Sequence, residues 1–246
     1  MNIIQTTQLS AFQKNDLAAL LKSCREAESL SLSAPTEDGL EYFLLYEQES
    51  LISFLLLFFP EESRCECSAF TLPLYRKRGC FSDLLDAAFL FLDAYEELHL
   101  CETAFYFLSD PHTPSAQAVL RAIGAVYQYE EYKMVRPLLL SDAAYTAQVT
   151  ILETEPHIFT AVLSGKIIGT CVLLPSESEV YFYGFEIREE VRRCGYGEDF
   201  LLGILAKLVG HTASLTLQVS GQNLPALSLY QKTGFQITET LSYYTY

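Results

Sequence analysis

The chain repeats itself. Arg76 and Gly79 recur as Arg192 and Gly195, 116 residues further on, and Gly124 recurs as Gly234 at a spacing of 110. Around these anchors each half runs through the same succession: alternating apolar segments, a basic glycine-containing loop, a segment of helical period, a short apolar strand, and a second helix closed by glycine. Two segments with one order of elements require two copies of one fold, which constrains the architecture more tightly than any single motif. Strands that alternate with helices in this way predict an α/β (α+β) class, with mixed, mostly antiparallel sheets flanked by helices.

In the first copy, Phe12, Leu17, Leu20, Leu21 and Cys24 fall on one helical face behind Ser10, a natural N-cap, and predict a helix from Ser10 to Glu28. Residues 42–46 and 51–59 flank the polar turn Glu47–Ser50 as a hairpin, and a further strand covers 65–72. A helix follows from Ser82 to about Glu97, then a strand at 103–108, a helix at 114–123 and a tyrosine-rich strand at 125–135. The second copy offers strands at 158–163, 167–174 and 179–187, a helix through Val209, a strand at 215–219 and a helix at 225–233. It has no equivalent of the Ser10 helix. A junction at Leu138–Asp142 divides the chain into domains 1–140 and 141–246.

With 31 acids against 16 bases the net charge is −15, which repels phosphate backbones and argues against a nucleic-acid partner while suiting a cationic one. The seven cysteines contain no C-x-x-C, and Cys65 and Cys67 point to one face of a strand; with no signal-peptide pattern, this implies a reducing, cytoplasmic setting. The longest apolar run, Leu51–Phe59, is far short of the ~20 residues a membrane helix needs, so no membrane partner is expected. The four histidines, 99, 112, 157 and 211, lack metal-ligand spacing, so no metal is expected and they read as surface or packing residues.

Chemistry concentrates in Arg192-Arg193-Cys194-Gly195-Tyr196-Gly197, which runs directly into a helical pattern. Two cations, two glycines and the unpaired N–H groups of a helix N-terminus suit an anion. A P-loop would need Gly-Lys-Ser/Thr, and a dinucleotide loop would follow the first strand of a βαβ unit; this loop has neither feature. It resembles instead the R-x-x-G-x-G acyl-CoA pyrophosphate loop of the GNAT superfamily of N-acetyltransferases. The segment Leu217–Phe235, with Asn223 and the ending Leu229-Tyr230-Gln231-Lys232-Thr233-Gly234-Phe235, is similar to that family's second signature.

The resemblance covers both halves and implies two tandem GNAT-like acyl-CoA N-acyltransferase domains, the second with the fuller motif. It implies acetyl-CoA as cosubstrate and acetyl transfer to the amine of a small molecule or peptide by direct attack. The family pattern places the pantetheine arm on the backbone of Ile187, the pyrophosphate on Arg192, Arg193, Cys194, Gly195, Tyr196 and Gly197, and a further contact at Asn223. Tyr230 is the implied acid: a phenol near pKa ~10 can donate to a leaving thiolate whose conjugate acid lies near ~8.5.

No base is assigned: Glu179, Tyr181 and Tyr183 share one strand face, with Glu186 on the other unless a bulge intervenes. Glu198 and Asp199 stand in the first helical turn, where they compete with a bound pyrophosphate. The first copy retains Arg76, Arg78 and Gly79, but Phe81 ends its loop, Leu120 stands at the place of Tyr230, and Thr113 at that of Asn223. Two other readings stay open: a non-catalytic acyl-CoA-binding or protein-interaction module, and a reversal of roles in which the first half holds acetyl-CoA.

Overall fold

The computed structural model describes residues 1–176 and 179–246. In chain order the first half comprises β1 (Asn2–Thr6), α1 (Ala11–Ala27), β2 (Glu41–Glu47), β3 (Ser50–Glu61), β4 (Arg64–Thr71), α2 (Cys80–His99), β5 (Ala104–Ser109), α3 (Pro114–Ile123) and β6 (Val126–Pro137). The second half adds β7 (Thr150–Glu155), β8 (Ile158–Leu163), β9 (Lys166–Pro175), β10 (Val180–Ile187), α4 (Tyr196–Leu208), β11 (Ser214–Ser220), α5 (Leu224–Lys232) and β12 (Gln236–Thr245). The edge strands β1 and β7 escape the sequence pattern because both are short and largely exposed, with little apolar periodicity. Among the described residues, no helix is long and apolar enough to cross a membrane.

The chain packs as two units, Met1–Glu130 with Glu239–Tyr246, and Glu131–Thr238. The first unit orders its strands β1-β2-β3-β4-β5 and completes the sheet with the end of β12, where Ser242 pairs with Ser109 and Thr245 with Tyr106. The second orders them from the end of β6 through β11-β10-β9-β8-β7, with Ser214 opposite Pro137 and Ser220 opposite Glu131. The packing therefore divides at Glu130–Glu131 rather than at residue 140. Tyr132–Pro137 closes the repeat in sequence but hydrogen-bonds to β11, and Arg136 pairs with Asp142 at 2.8 Å inside the second unit.

In the first unit the sheet is buried on both faces. Ile52, Leu55 and Leu57 of β3 pack towards α2 and α3, while Leu51, Phe54 and Leu56 pack towards α1. That two-sided burial explains an uninterrupted apolar run without a membrane. Helix α1 starts where Ser10 Oγ accepts from Gln13 N and the Gln13 side chain returns the bond to Ser10 N, a reciprocal capping box. The second unit has one continuous core between α4, α5 and β8–β11, centred on Phe182, Phe200, Ile204 and Leu217.

Candidate functional site

Within each unit the two parallel strands separate before they end. β4 and β5 pair from Arg64–Ala104 to Cys67–Phe107 and no further, although β4 continues to Thr71. β10 and β11 pair only at Val180–Leu215 and Tyr181–Thr216. A glycine loop then carries each first strand into its helix, and the two loops share one backbone. A single 3₁₀ turn (Pro73–Tyr75, Glu189–Val191) precedes Arg76 and Arg192, at φ −63° and −64°. Lys77 and Arg193 both stand at φ 62°, and Gly79 and Gly195 at φ 85° and 86°. A positive φ at Gly79 and Gly195 costs least without a Cβ. Among the described residues no side chain caps α2 or α4, so the first N–H groups of each, which have no helical partner, are left without a side-chain acceptor at the cap.

Both loop arginines are anchored to their own strand ends. Arg192 Nε donates to the Ile187 carbonyl at 2.7 Å, and Arg76 Nε to the Thr71 carbonyl at 3.3 Å. The Ile187 carbonyl, the expected pantetheine contact, is thus already engaged. The acids after the second loop do not face it: Asp199 is buried, taking the Tyr145 hydroxyl at 2.6 Å and the N–H of Val149 at 2.9 Å, while Glu198 pairs with Lys232. Burial raises the Asp199 carboxyl, and these donors more than offset it, holding it below the usual range.

β10 carries a bulge between Tyr183, opposite Val172, and Glu186, opposite Thr170, with Gly184 at φ 60°. The additional residue places Glu186 on the face of Tyr183 and Tyr181, not on the opposite one. Phe185, set inside the bulge, turns its ring to Phe182 and Phe200.

A cavity of about 500 Å³ opens in the first unit where β4 and β5 diverge. Its walls come from Ala69 and Thr71 of β4, Arg76 and Gly79 of the loop, Phe81 of α2, and Thr113, Val119 and Leu120 around α3. The spacings of 116 and 110 give the reason for its position. Ala69, Thr71 and Val119 correspond to Phe185, Ile187 and Leu229 in the second unit. There Ile187 Cγ1 and Leu229 Cδ2 come within 3.5 and 3.7 Å of where a Cβ on Gly197 would stand, so larger side chains occupy the equivalent space.

Polar groups line the first-unit cavity at one side. Glu28 accepts from Arg76 Nη1 at 2.7 Å, from the Ser115 hydroxyl at 2.6 Å and from Ser115 N at 3.1 Å. Burial raises the Glu28 carboxyl, but Ser115 and Arg76 together bring it below its ordinary value. Thr113 is buried, and among the described residues its Oγ1 has no hydrogen-bond partner. A buried hydroxyl left unpaired costs free energy that a ligand bonding to it would recover. Asp110, 1% exposed, takes Ser31 N and Oγ at 2.6 Å each on one oxygen, and His112 N at 2.8 Å and His112 Nδ1 at 3.1 Å on the other.

Tyr230 is buried, its ring edge-on to Phe182 and tilted against Phe235, and burial, aided by Cys171, pushes its hydroxyl up to about 12. Asn223 caps α5 by accepting from Ala226 N at 3.3 Å. Cys194 is exposed, and Tyr196 packs against the second-unit core. Arg78 lies over the Tyr75 ring at 5.1 Å. Metal-ligand spacing, the criterion applied to the histidines, does not bring out the Asp110–His112 pair. The signal was the Asp-Pro-His sequence at a strand end, where an aspartate readily accepts from the N–H two residues on.

Residues 123–235 match the model of the acetyltransferase (GNAT) family. Comparison with curated proteins gives no match. Among solved structures, the chain is similar to a GCN5-related N-acetyltransferase from Sphaerobacter thermophilus, with a TM-score of 0.78, 14% identity, and coverage of 99% of this chain and 95% of that one. It is also similar to a tandem GNAT protein from the clavulanic acid biosynthesis pathway, with a TM-score of 0.68, 13% identity, and coverage of 100% and 98%. A GNAT-family acetyltransferase from Colwellia psychrerythraea gives a TM-score of 0.56 at 12% identity, each chain fully covered.

Proposed function

We propose that this chain, a tandem protein of GNAT fold that carries the family's acetyltransferase domain over residues 123–235, moves an acetyl group from acetyl-CoA to an amine, with the thioester seated in the first unit. The observation that carries the reading is the cavity of about 500 Å³ behind the Arg76–Cys80 loop, a volume in the usual range for a small-molecule site. An extended arm entering between the diverging ends of β4 and β5 meets apolar walls and Thr113 Oγ1, a donor and acceptor without a partner among the described residues. The N–H groups at the start of α2, with Lys77 and Arg78, supply the positive end for phosphates. Acetyl-CoA supplies an activated carbonyl and a thiolate leaving group.

The chain's net charge of −15 favours a cationic acceptor, an amine of a small molecule or peptide. Seven free thiols, five of them buried, suit a reducing, cytoplasmic setting.

A second reading places the thioester in the second unit, with Ile187, Arg192, Arg193, Cys194, Gly195, Tyr196, Gly197 and Asn223 around it and Tyr230 as acid. It is favoured by the complete R-x-x-G-x-G loop and by the end of the β10–β11 pairing at Tyr181–Thr216, well before β10 ends at Ile187. Calorimetry with acetyl-CoA separates the two. Arg76→Glu is expected to abolish binding and Arg192→Glu to leave it intact; the opposite pattern moves the site to the second unit. An intact protein that binds no acetyl-CoA is not an acetyltransferase, and CoA bound without thiol release to any amine identifies a non-catalytic module.

A further inference from the structure

A groove of about 350 Å³ lies beside the first-unit cavity and shares Glu28, Leu30 and Asp110 with it. Arg25, Ser29, Ser31 and His112 complete its edge. Most of the polar atoms here are committed. Arg25 donates to the Leu32 carbonyl at 3.0 Å, Glu28 is held by Arg76 and Ser115, and both Asp110 oxygens carry donors from Ser31 and His112. His112 differs. Its Nδ1 is fixed on Asp110 at 3.1 Å, its side chain is 71% exposed, and no partner among the described residues engages Nε2.

A buried carboxylate on one ring nitrogen sets the tautomer and leaves the other nitrogen as a proton acceptor, and imidazole is the side chain suited to exchange a proton near neutral pH. We infer that His112 is the catalytic base of the first unit, taking the proton of an ammonium acceptor lodged in this groove, with Asp110 as its positioning residue. The inference rests on the first-unit reading above. His112 Nε2 removes one proton from R–NH₃⁺ and passes it to solvent. The neutral nitrogen attacks the thioester carbon, the C–N bond forms and the C–S bond breaks. The second proton leaves nitrogen for the thiolate, giving amide and free thiol with no other reactant. Leu120, standing where the second unit has Tyr230, cannot donate that proton, so a direct or water-borne transfer from nitrogen replaces a phenol.

The test uses the full chain, acetyl-CoA and ethanolamine as a minimal acceptor, with release of free thiol as the readout and calorimetry as the independent measure of acetyl-CoA binding. His112→Gln is expected to bind acetyl-CoA as the wild type does, lose ~10²- to 10⁴-fold in kcat/KM near neutral pH, and have the acidic limb of its pH profile moved up to the pH at which ethanolamine itself loses its proton. Titration of Asp110 or Glu28, the carboxylates facing the groove, would leave that limb unmoved in His112→Gln. Added imidazole is expected to restore part of the rate in His112→Gly. Asp110→Asn is expected to lower kcat with KM little changed. A His112→Gln variant at the wild-type rate with its acidic limb intact overturns the inference, as does wild-type protein that binds acetyl-CoA without releasing thiol to ethanolamine. Failure of wild-type protein to bind acetyl-CoA is a different result: it removes the first-unit reading, and the base assignment with it.

Discussion

The carboxylate of Glu28 holds the guanidinium of Arg76 at 2.7 Å, so the loop cation that would meet a phosphate is already partly neutralised from within the chain. The same carboxylate accepts from the N–H and hydroxyl of Ser115 in the first turn of α3. Glu28 therefore joins the end of α1, the loop and α3 at one point. It is both a structural tie and a competitor for anions. Glu28→Gln is expected to lower the unfolding free energy by about 1–3 kcal/mol, because Arg76 and Ser115 lose a charged acceptor. It is also expected to tighten acetyl-CoA binding, since Arg76 is released. Chemical denaturation and calorimetry on the same variant measure both; weaker binding without charge competition would remove Arg76 from the anion site.

Filling the first-unit cavity gives a cleaner separation of site from scaffold. Ala69→Phe installs the side chain that the second unit carries at Phe185, in a cavity that has room for it. Acetyl-CoA binding is expected to vanish while thermal stability holds or rises, because the substitution fills space rather than opening it. Retained binding would show that the thioester does not pass this wall.

Tyr230 discriminates between the units. Under the first-unit reading Tyr230→Phe removes a hydroxyl held among Phe182, Phe235 and Cys171, and turnover is expected to stay near the wild-type rate. A fall of ~10²- to 10⁴-fold in kcat would instead mark the loss of a general acid and relocate the chemistry.

Asp199 predicts a pH dependence of stability. Its carboxyl titrates lower in the folded chain than in the unfolded one, so its stabilisation is fully present above the unfolded value, near ~3.9, and is lost as pH falls through the lower, folded value. Asp199→Asn is expected to cost about 1–3 kcal/mol at neutral pH and to converge with wild type under strongly acidic conditions. Thermal melts between neutral and acidic pH test the sign; a constant difference across that range would contradict it.

Much of the fold was legible because its signals are local. Ser10 announced α1, helix α3 occupies the 114–123 expected of it, and the spacing of 116 residues reproduced the loop backbone to within a few degrees at Lys77 and Arg193. Other features depend on partners distant in sequence. Tyr132–Pro137 looks like the end of the first repeat until β11 is seen to pair with it. The face of Glu186 depends on a bulge defined by its register with β9, which the strand's own alternation does not record.

The sequence by itself determined that there are two copies of one α/β unit, each with a cationic loop at a helix N-terminus, because residue order and backbone preference are written in adjacent positions. Only the tertiary structure decided where open volume lies. The second loop has the fuller motif, yet Phe185, Ile187 and Leu229 are large where Ala69, Thr71 and Val119 are small, and the cavity opens beside the latter. Motif residues report the chemistry a loop can offer, whereas a cavity is the space left when side chains from several segments meet, and no one segment encodes it. The pairing of Asp110 with His112 became informative for the same reason: a groove beside that cavity gave an otherwise ordinary turn something to act on.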